Sequence, residues 1–272
     1  MKAPSFCLQN LRTILTVSLP ALVLLAPAML FAQSAFDGTW RVNLQSTQYL
    51  GKENFSLQDG VYRCSSCVPK INVKADGQDH QVSGSPYFDT INVRVVDDRT
   101  VETVTKKGGK LSGRTKLTAS QDGKTLTTEF TGVTENGQNI SGKYTSARVD
   151  AAREGAHKIS GVWQPGKLES ASENVLMVTY KATDDGLSMT DQTGNSYTAK
   201  FDGKDYPFKG NPGVTSVSLK KIDANTIQET AKRNGKVIGV IRMTVAADGK
   251  TMSVNREDKL QGITVKWTAE KQ

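Results

Sequence analysis

Few residues in this chain are equipped for chemistry. Cys64 and Cys67 stand in VYRCSSCVPK with two serines between them. That spacing serves a redox couple, half of a zinc site or a local disulfide. A redox pair needs a helix N-terminus to depress one thiol, but here an extended segment ends at Pro69 and no helical pattern follows. Zinc would need further ligands, and the nearest histidines are the distant His80 and His157. A local Cys64–Cys67 disulfide is therefore expected, worth only ~2 kcal/mol because the closed loop is so short. His80 lies beside Asp79 rather than across a strand from an acid or nucleophile. The nucleophile-elbow, zinc-protease, phosphate-loop and haem-attachment patterns are missing. Two D-G-x-D stretches, Asp76–Asp79 and Asp202–Asp205, each offer two carboxylates in four residues. Calcium takes 6–8 oxygens, so both are read as turns whose aspartates cap backbone N–H groups. No catalytic residue, metal site or cofactor is expected, and the chain is read as non-enzymatic.

The amino-terminal segment sets the expected compartment. MKAPSFCLQNLRT carries Lys2 and Arg12 without an acid, an apolar run interrupted by Pro20 and Pro27 follows, and AQSA closes it. This is the pattern of an export signal over residues 1–33, with cleavage expected near Ala32 to Ala35. Cys7 leaves with it. No later segment is long and apolar enough to span a bilayer as a helix, so the protein is not expected to be integral to the membrane. It is expected in the periplasm or medium, where thiols oxidise. Loss of Lys2 and Arg12 lowers the formal charge from +8 to +6. The densest basic stretch, TVTKKGGKLSGRTK, sets its lysines around a Gly-Gly turn without interleaved aromatics. It reads as a solvated hairpin tip whose lysines discourage edge pairing, and a nucleic-acid partner is not expected.

Most of the remainder is written twice. Lys74–Thr125 aligns without a gap on Lys200–Thr251, with 17 of 52 positions identical. Turn residues coincide: Asp76-Gly77 with Asp202-Gly203, Gly109 with Gly235, and Asp122-Gly123 with Asp248-Gly249. His80 corresponds to Tyr206, so the repeated fold does not need an imidazole there. The second copy has no cysteines where the first has Cys64 and Cys67; the corresponding region is Asp184–Gly194. The copies are assigned to residues 36–149 and 159–272, with a linker at 150–158.

Within each copy the hydrophobic period is two. Ile91, Val93 and Val95 alternate with Asn92 and Arg94, and Leu126, Thr128 and Phe130 alternate with Thr127 and Glu129. The segments are short and end in D-G, G-G or N-G, the chemistry of tight hairpins. The expected fold class is all-β, with two tandem antiparallel meanders of eight to ten strands. Closure into barrels removes the exposed edges an open sheet would leave. Gly113 and Gly239 share one mid-strand position suited to a sharp bend.

Each copy opens with G-x-W, at Gly38-Thr39-Trp40 and Gly161-Val162-Trp163. In this the chain resembles lipocalin-like (calycin) barrels and exported bacterial proteins with such repeats, although the T-D-Y motif of lipocalins is missing. The resemblance implies a tryptophan plugging each barrel end beneath a basic residue of the last strand, with Lys143 or Arg148 and Lys266 as candidates. Gly38, Trp40, Gly161 and Trp163 are thus expected to be structural. Small closed barrels bind ligands in their interiors. The second copy is the more apolar, and in KVIGVIRMTV the residues Val237, Ile241, Met243 and Val245 share a face. These four are the expected contacts of a small apolar or amphipathic ligand. The competing expectation is a structural, interaction or envelope-stress module with packed barrels, acting through its surface on a partner that the sequence does not identify.

Overall fold

The computed structural model describes residues 34–150 and 154–272. The expected leader, 1–33, and residues 151–153 of the expected linker lie outside the described residues. Twenty strands are present among the described residues, and the only helical element is one 3-10 turn at Glu173–Val175. The chain opens with β1 (Gly38–Leu50), β2 (Glu53–Gln58), β3 (Val61–Cys64), β4 (Ile71–Lys74) and β5 (Asp76–Gln81). It continues through β6 (Thr90–Val95), β7 (Thr100–Lys107), β8 (Lys110–Ala119), β9 (Thr125–Val133) and β10 (Asn139–Asp150). The second copy supplies β11 (Gly161–Ala171), β12 (Met177–Ala182), β13 (Gly186–Asp191), β14 (Ser196–Lys200) and β15 (Tyr206–Pro207). It ends with β16 (Ser216–Lys221), β17 (Thr226–Arg233), β18 (Lys236–Val245), β19 (Thr251–Asp258) and β20 (Ile263–Lys271).

These strands make two antiparallel ten-stranded sheets, each curled into a nearly closed barrel around its own core. The expected all-β class with two meander barrels is what the chain adopts. Alternation decides which residues face inward: Ile91, Val93, Leu126 and Thr128 are buried, while Val95 at its strand end is exposed. At the seam of the second barrel, Ser196 and Lys209 exchange backbone hydrogen bonds of 3.1 and 2.9 Å. In the first, the two edge strands β4 and β5 are joined directly through Ala75.

The sheets do not follow the boundaries 36–149 and 159–272. β1 lies in the second sheet between β12 and β20, and β11 lies in the first between β2 and β10. The first sheet is therefore residues 53–171, and the second is β12–β20 completed by β1. The exchange takes place at the links after the first strands. Most hairpins here turn on a glycine, aspartate or asparagine at positive φ, but the two-residue link Gly51-Lys52 has none. The chain runs on into the other sheet instead of reversing. Gly51 serves closeness rather than turning, since a side chain there would meet Ile263 at 2.3 Å. The 3-10 turn after β11 likewise carries no positive-φ residue.

The exchange also crosses the barrel ends. Trp40 belongs to the core of the second barrel and Trp163 to that of the first, both fully buried. Each indole N–H donates to the carbonyl four residues earlier, Trp40 to Phe36 at 2.8 Å and Trp163 to Ile159 at 2.9 Å. Arg148 covers Trp163 at 4.0 Å and Lys271 covers Trp40 at 5.3 Å. Lys143 and Lys266 do not take this place. Lys143 sits 3.9 Å from Glu129, and Lys266 pairs in register with Gln48 and Asn255. The backbone requires the glycine of each G-x-W, since Gly38 and Gly161 have φ of 120° and 137°.

Gly113 and Gly239 each follow a one-residue bulge. Thr105 and Lys106 oppose Gly113 and Leu111, and Ala231 and Lys232 oppose Gly239 and Val237, leaving Ser112 and Ile238 as the extra residues.

Because every strand of the first sheet lies within 53–171, that fragment is expected to fold alone with a cooperative thermal transition and β-type circular dichroism. The fragment 36–149 lacks β11 and Trp163 and is expected to remain unfolded. The opposite pair of outcomes would show that the exchanged strands are not what completes each sheet.

Candidate functional site

A partly open cavity of about 480 Å³ enters the second barrel, within the range of small-molecule sites. Its wall has an apolar part, formed by Met189, Phe208, Val214, Ile238, Ile241 and Leu260, and a polar part that includes Tyr180, Glu229, Arg233 and Arg256. Glu229 arrives through strand alternation: in TIQETAKR the inward positions are Ile227, Glu229 and Ala231. It is 5% exposed. Tyr197 donates to Glu229 Oε2 at 2.7 Å. Glu229 Oε1 has no hydrogen-bond partner among the described residues, although it is not sealed within packed atoms.

Burial pushes the Glu229 carboxyl above its usual range, against the opposing influence of the Tyr197 hydrogen bond and the Arg256 charge. Burial first, and then the neighbouring acid, also push up the hydroxyls of Tyr197 and Tyr180. Tyr180 donates to Met243 Sδ at 3.2 Å. The other charged groups of the lining are already engaged. Asp191 accepts from the backbone and side chains of Thr193 and Asn195. Asp258 caps Leu260 and Gln261 and lies 3.6 Å from Arg256. Arg233 donates to the Gly213 carbonyl at 2.8 Å.

The first barrel has its own half-buried acid with a different environment. Glu53 accepts from Tyr144 on one oxygen and from Ser146 on the other, so both oxygens are satisfied. Burial raises its carboxyl as well, and it raises the nearby Tyr49 hydroxyl to about 12. At the positions equivalent to Glu229, Arg256 and Tyr197 the first copy has Thr103, Phe130 and Ile71. The half-satisfied carboxyl is thus particular to the second barrel.

Loops of the first barrel border the cavity through Val68, Pro86 and Tyr87. The Tyr87 hydroxyl donates to Asn211 at 3.0 Å, and its approach requires Gly213, where a side chain would lie 1.9 Å away. Cys64 and Cys67 are disulfide-bonded in the β3–β4 loop, and Val68 follows directly. The matching β13–β14 loop of the second barrel is tied instead by the Asp191 carboxylate. The expected turn is found only in the second copy: Asp76–Asp79 forms an irregular start of β5, where Asp76 accepts from Gln78 and binds His80, whereas Asp202 stands at a bend and accepts from Lys204 and Tyr206. Asp79 and Asp205 reach Lys106 and Lys232, each at 2.6 Å. His157 contacts the Asp97 carbonyl at 2.6 Å.

Of the four expected ligand contacts, only Ile241 lines the cavity. Met243 and Val245 are packed in the core beneath it. Val237 is 45% exposed, because the bulge reverses the facing of the strand and turns Ile238 inward instead. Sequence reasoning missed Glu229 and Tyr197. Their signal was a glutamate on the inward, apolar face of a strand where the first copy has threonine. Among the described residues no helix is long and apolar enough to cross a membrane. Compared with known proteins, the chain matches no family model and no curated sequence.

A carboxyl held above its usual range favours the fold below its unfolded pKa, about 4.3, and loses that contribution as pH rises through the folded value. Glu229→Gln should therefore gain stability relative to the unsubstituted protein as pH rises above about 4.3. Melting curves with a difference independent of pH would contradict the assignment.

Proposed function

We propose that the protein is an exported, non-enzymatic binding protein whose second barrel carries a small amphipathic ligand, as the resemblance to lipocalin-like proteins implies. The observation that carries this reading is the cavity of about 480 Å³ entering that barrel, lined on one side by apolar residues and on the other by a half-satisfied carboxyl. The carboxyl keeps one oxygen accessible from this space rather than sealed against protein atoms, so a ligand donor can reach it. Export is supported by the basic and apolar leader pattern and by the Cys64–Cys67 disulfide. The first barrel acts as scaffold and border: its acid is fully bonded, and its loops carry Val68 and Tyr87 to the mouth of the second. That division of labour leaves the packed, surface-acting module as a description of the first half alone.

Binding of a neutral apolar fluorophore to the mature protein, together with native mass spectrometry, tests the reading. Ile241→Trp fills the cavity and is expected to weaken binding about tenfold or more, a loss of at least 1.4 kcal/mol. Val237→Trp, on the outer surface, should leave it unchanged. No binding, or equal loss in both variants, would overturn the proposal.

A further inference from the structure

We infer that the ligand of the second barrel is a small amphiphile with a protonated amine head, its nitrogen seated on Glu229 Oε1 and its apolar body against Met189, Phe208, Val214, Ile238, Ile241 and Leu260. This rests on the binding reading above and adds the chemistry of the head group. Glu229 is 5% exposed, yet no lysine or arginine nitrogen lies within ion-pairing distance of it among the described residues. Its only partner is a neutral hydroxyl, on the other oxygen. The remaining carboxylates of the lining, Asp191 and Asp258, have donors or an arginine on both oxygens. Glu229 Oε1 is therefore the one carboxylate oxygen of the cavity without a partner among the described residues.

Three kinds of head group could meet that oxygen, and they differ in charge. A carboxylate would set like charges together in a place of low dielectric. An alcohol supplies a donor but adds no positive charge to the distant one of Arg256. An ammonium supplies both, and a charge-assisted hydrogen bond is roughly twice as strong as a neutral one. The two basic residues of the lining do not compete for the position, since Arg233 is bound to the Gly213 carbonyl and Arg256 leans toward Asp258. The groups facing Glu229 are Tyr197 from β14, Tyr180 from β12, Asp191 from β13 and Arg256 from β19, and no histidine lines the cavity. Raised by burial, the carboxyl ionises more fully as pH increases, while an alkylamine stays protonated below about pH 10, as lysine does. Amine binding should consequently tighten from pH 5 to pH 8.

Titration calorimetry of the mature protein with octylamine, octanol and octanoate tests this. At pH 7.5 octylamine is expected to bind about tenfold more tightly than octanol, which is the surplus of one charge-assisted bond, and octanoate least. Glu229→Gln should bring the amine down to the level of the alcohol while octanol binding persists, which also reports that the variant is folded. Octanol or octanoate binding as tightly as the amine, an amine affinity that falls with rising pH, or an amine preference surviving in Glu229→Gln would overturn the head-group assignment and leave the cavity reading intact. Failure of all three compounds, together with failure of the neutral fluorophore, would overturn both.

Discussion

The architecture depends on a place where the chain does not turn. After β1 the link Gly51-Lys52 has no left-handed residue, and the strand passes from one sheet into the other. β11 makes the reciprocal passage. Each barrel is therefore completed by a strand of the other copy, which also brings a tryptophan into its core. Hydrogen-bonded strand pairs cannot be parted without exposing backbone groups, so the two barrels are tied more firmly than two beads on a linker. The loops of the first barrel consequently have a settled place at the border of the second barrel's cavity. Tyr87 against Gly213, and Val68 directly beyond the disulfide, take their roles from that arrangement.

The two copies then diverge in how they treat a shielded acid. Glu53 is closed off by Tyr144 and Ser146, and its burial is compensated within the fold. Glu229 receives one phenol and keeps an oxygen toward a cavity. The first acid is satisfied within the fold, whereas the second keeps an oxygen accessible from the cavity. The same divergence appears in the β3–β4 and β13–β14 loops. A disulfide ties one, and the Asp191 carboxylate ties the other through four hydrogen bonds.

Much of the fold could be read from short-range signals. Period-two alternation, positive-φ turn residues and the 126-residue offset between copies are local properties, and they led to two meander barrels. The site was less legible. Val237 and Ile241 share a face only if the strand is regular, and the bulge at Ile238 breaks that phase. The repeated Gly113 and Gly239 marked where a bend falls, but which residue a bulge ejects depends on the partner strand. Arg148 was a candidate cover for a tryptophan, yet the tryptophan it covers belongs to the other copy's sequence, because strand pairing is a long-range choice.

By itself the sequence determined the all-β class, the duplication, the hairpin turns and the pairing of Cys64 with Cys67, since each follows from residues close together in the chain. Only the tertiary structure decided that the first strands are exchanged, that Ile238 rather than Val237 faces inward, and that Glu229 keeps a free oxygen beside a cavity. Those outcomes depend on which strands meet and in what register, and that is set by the closure of whole sheets.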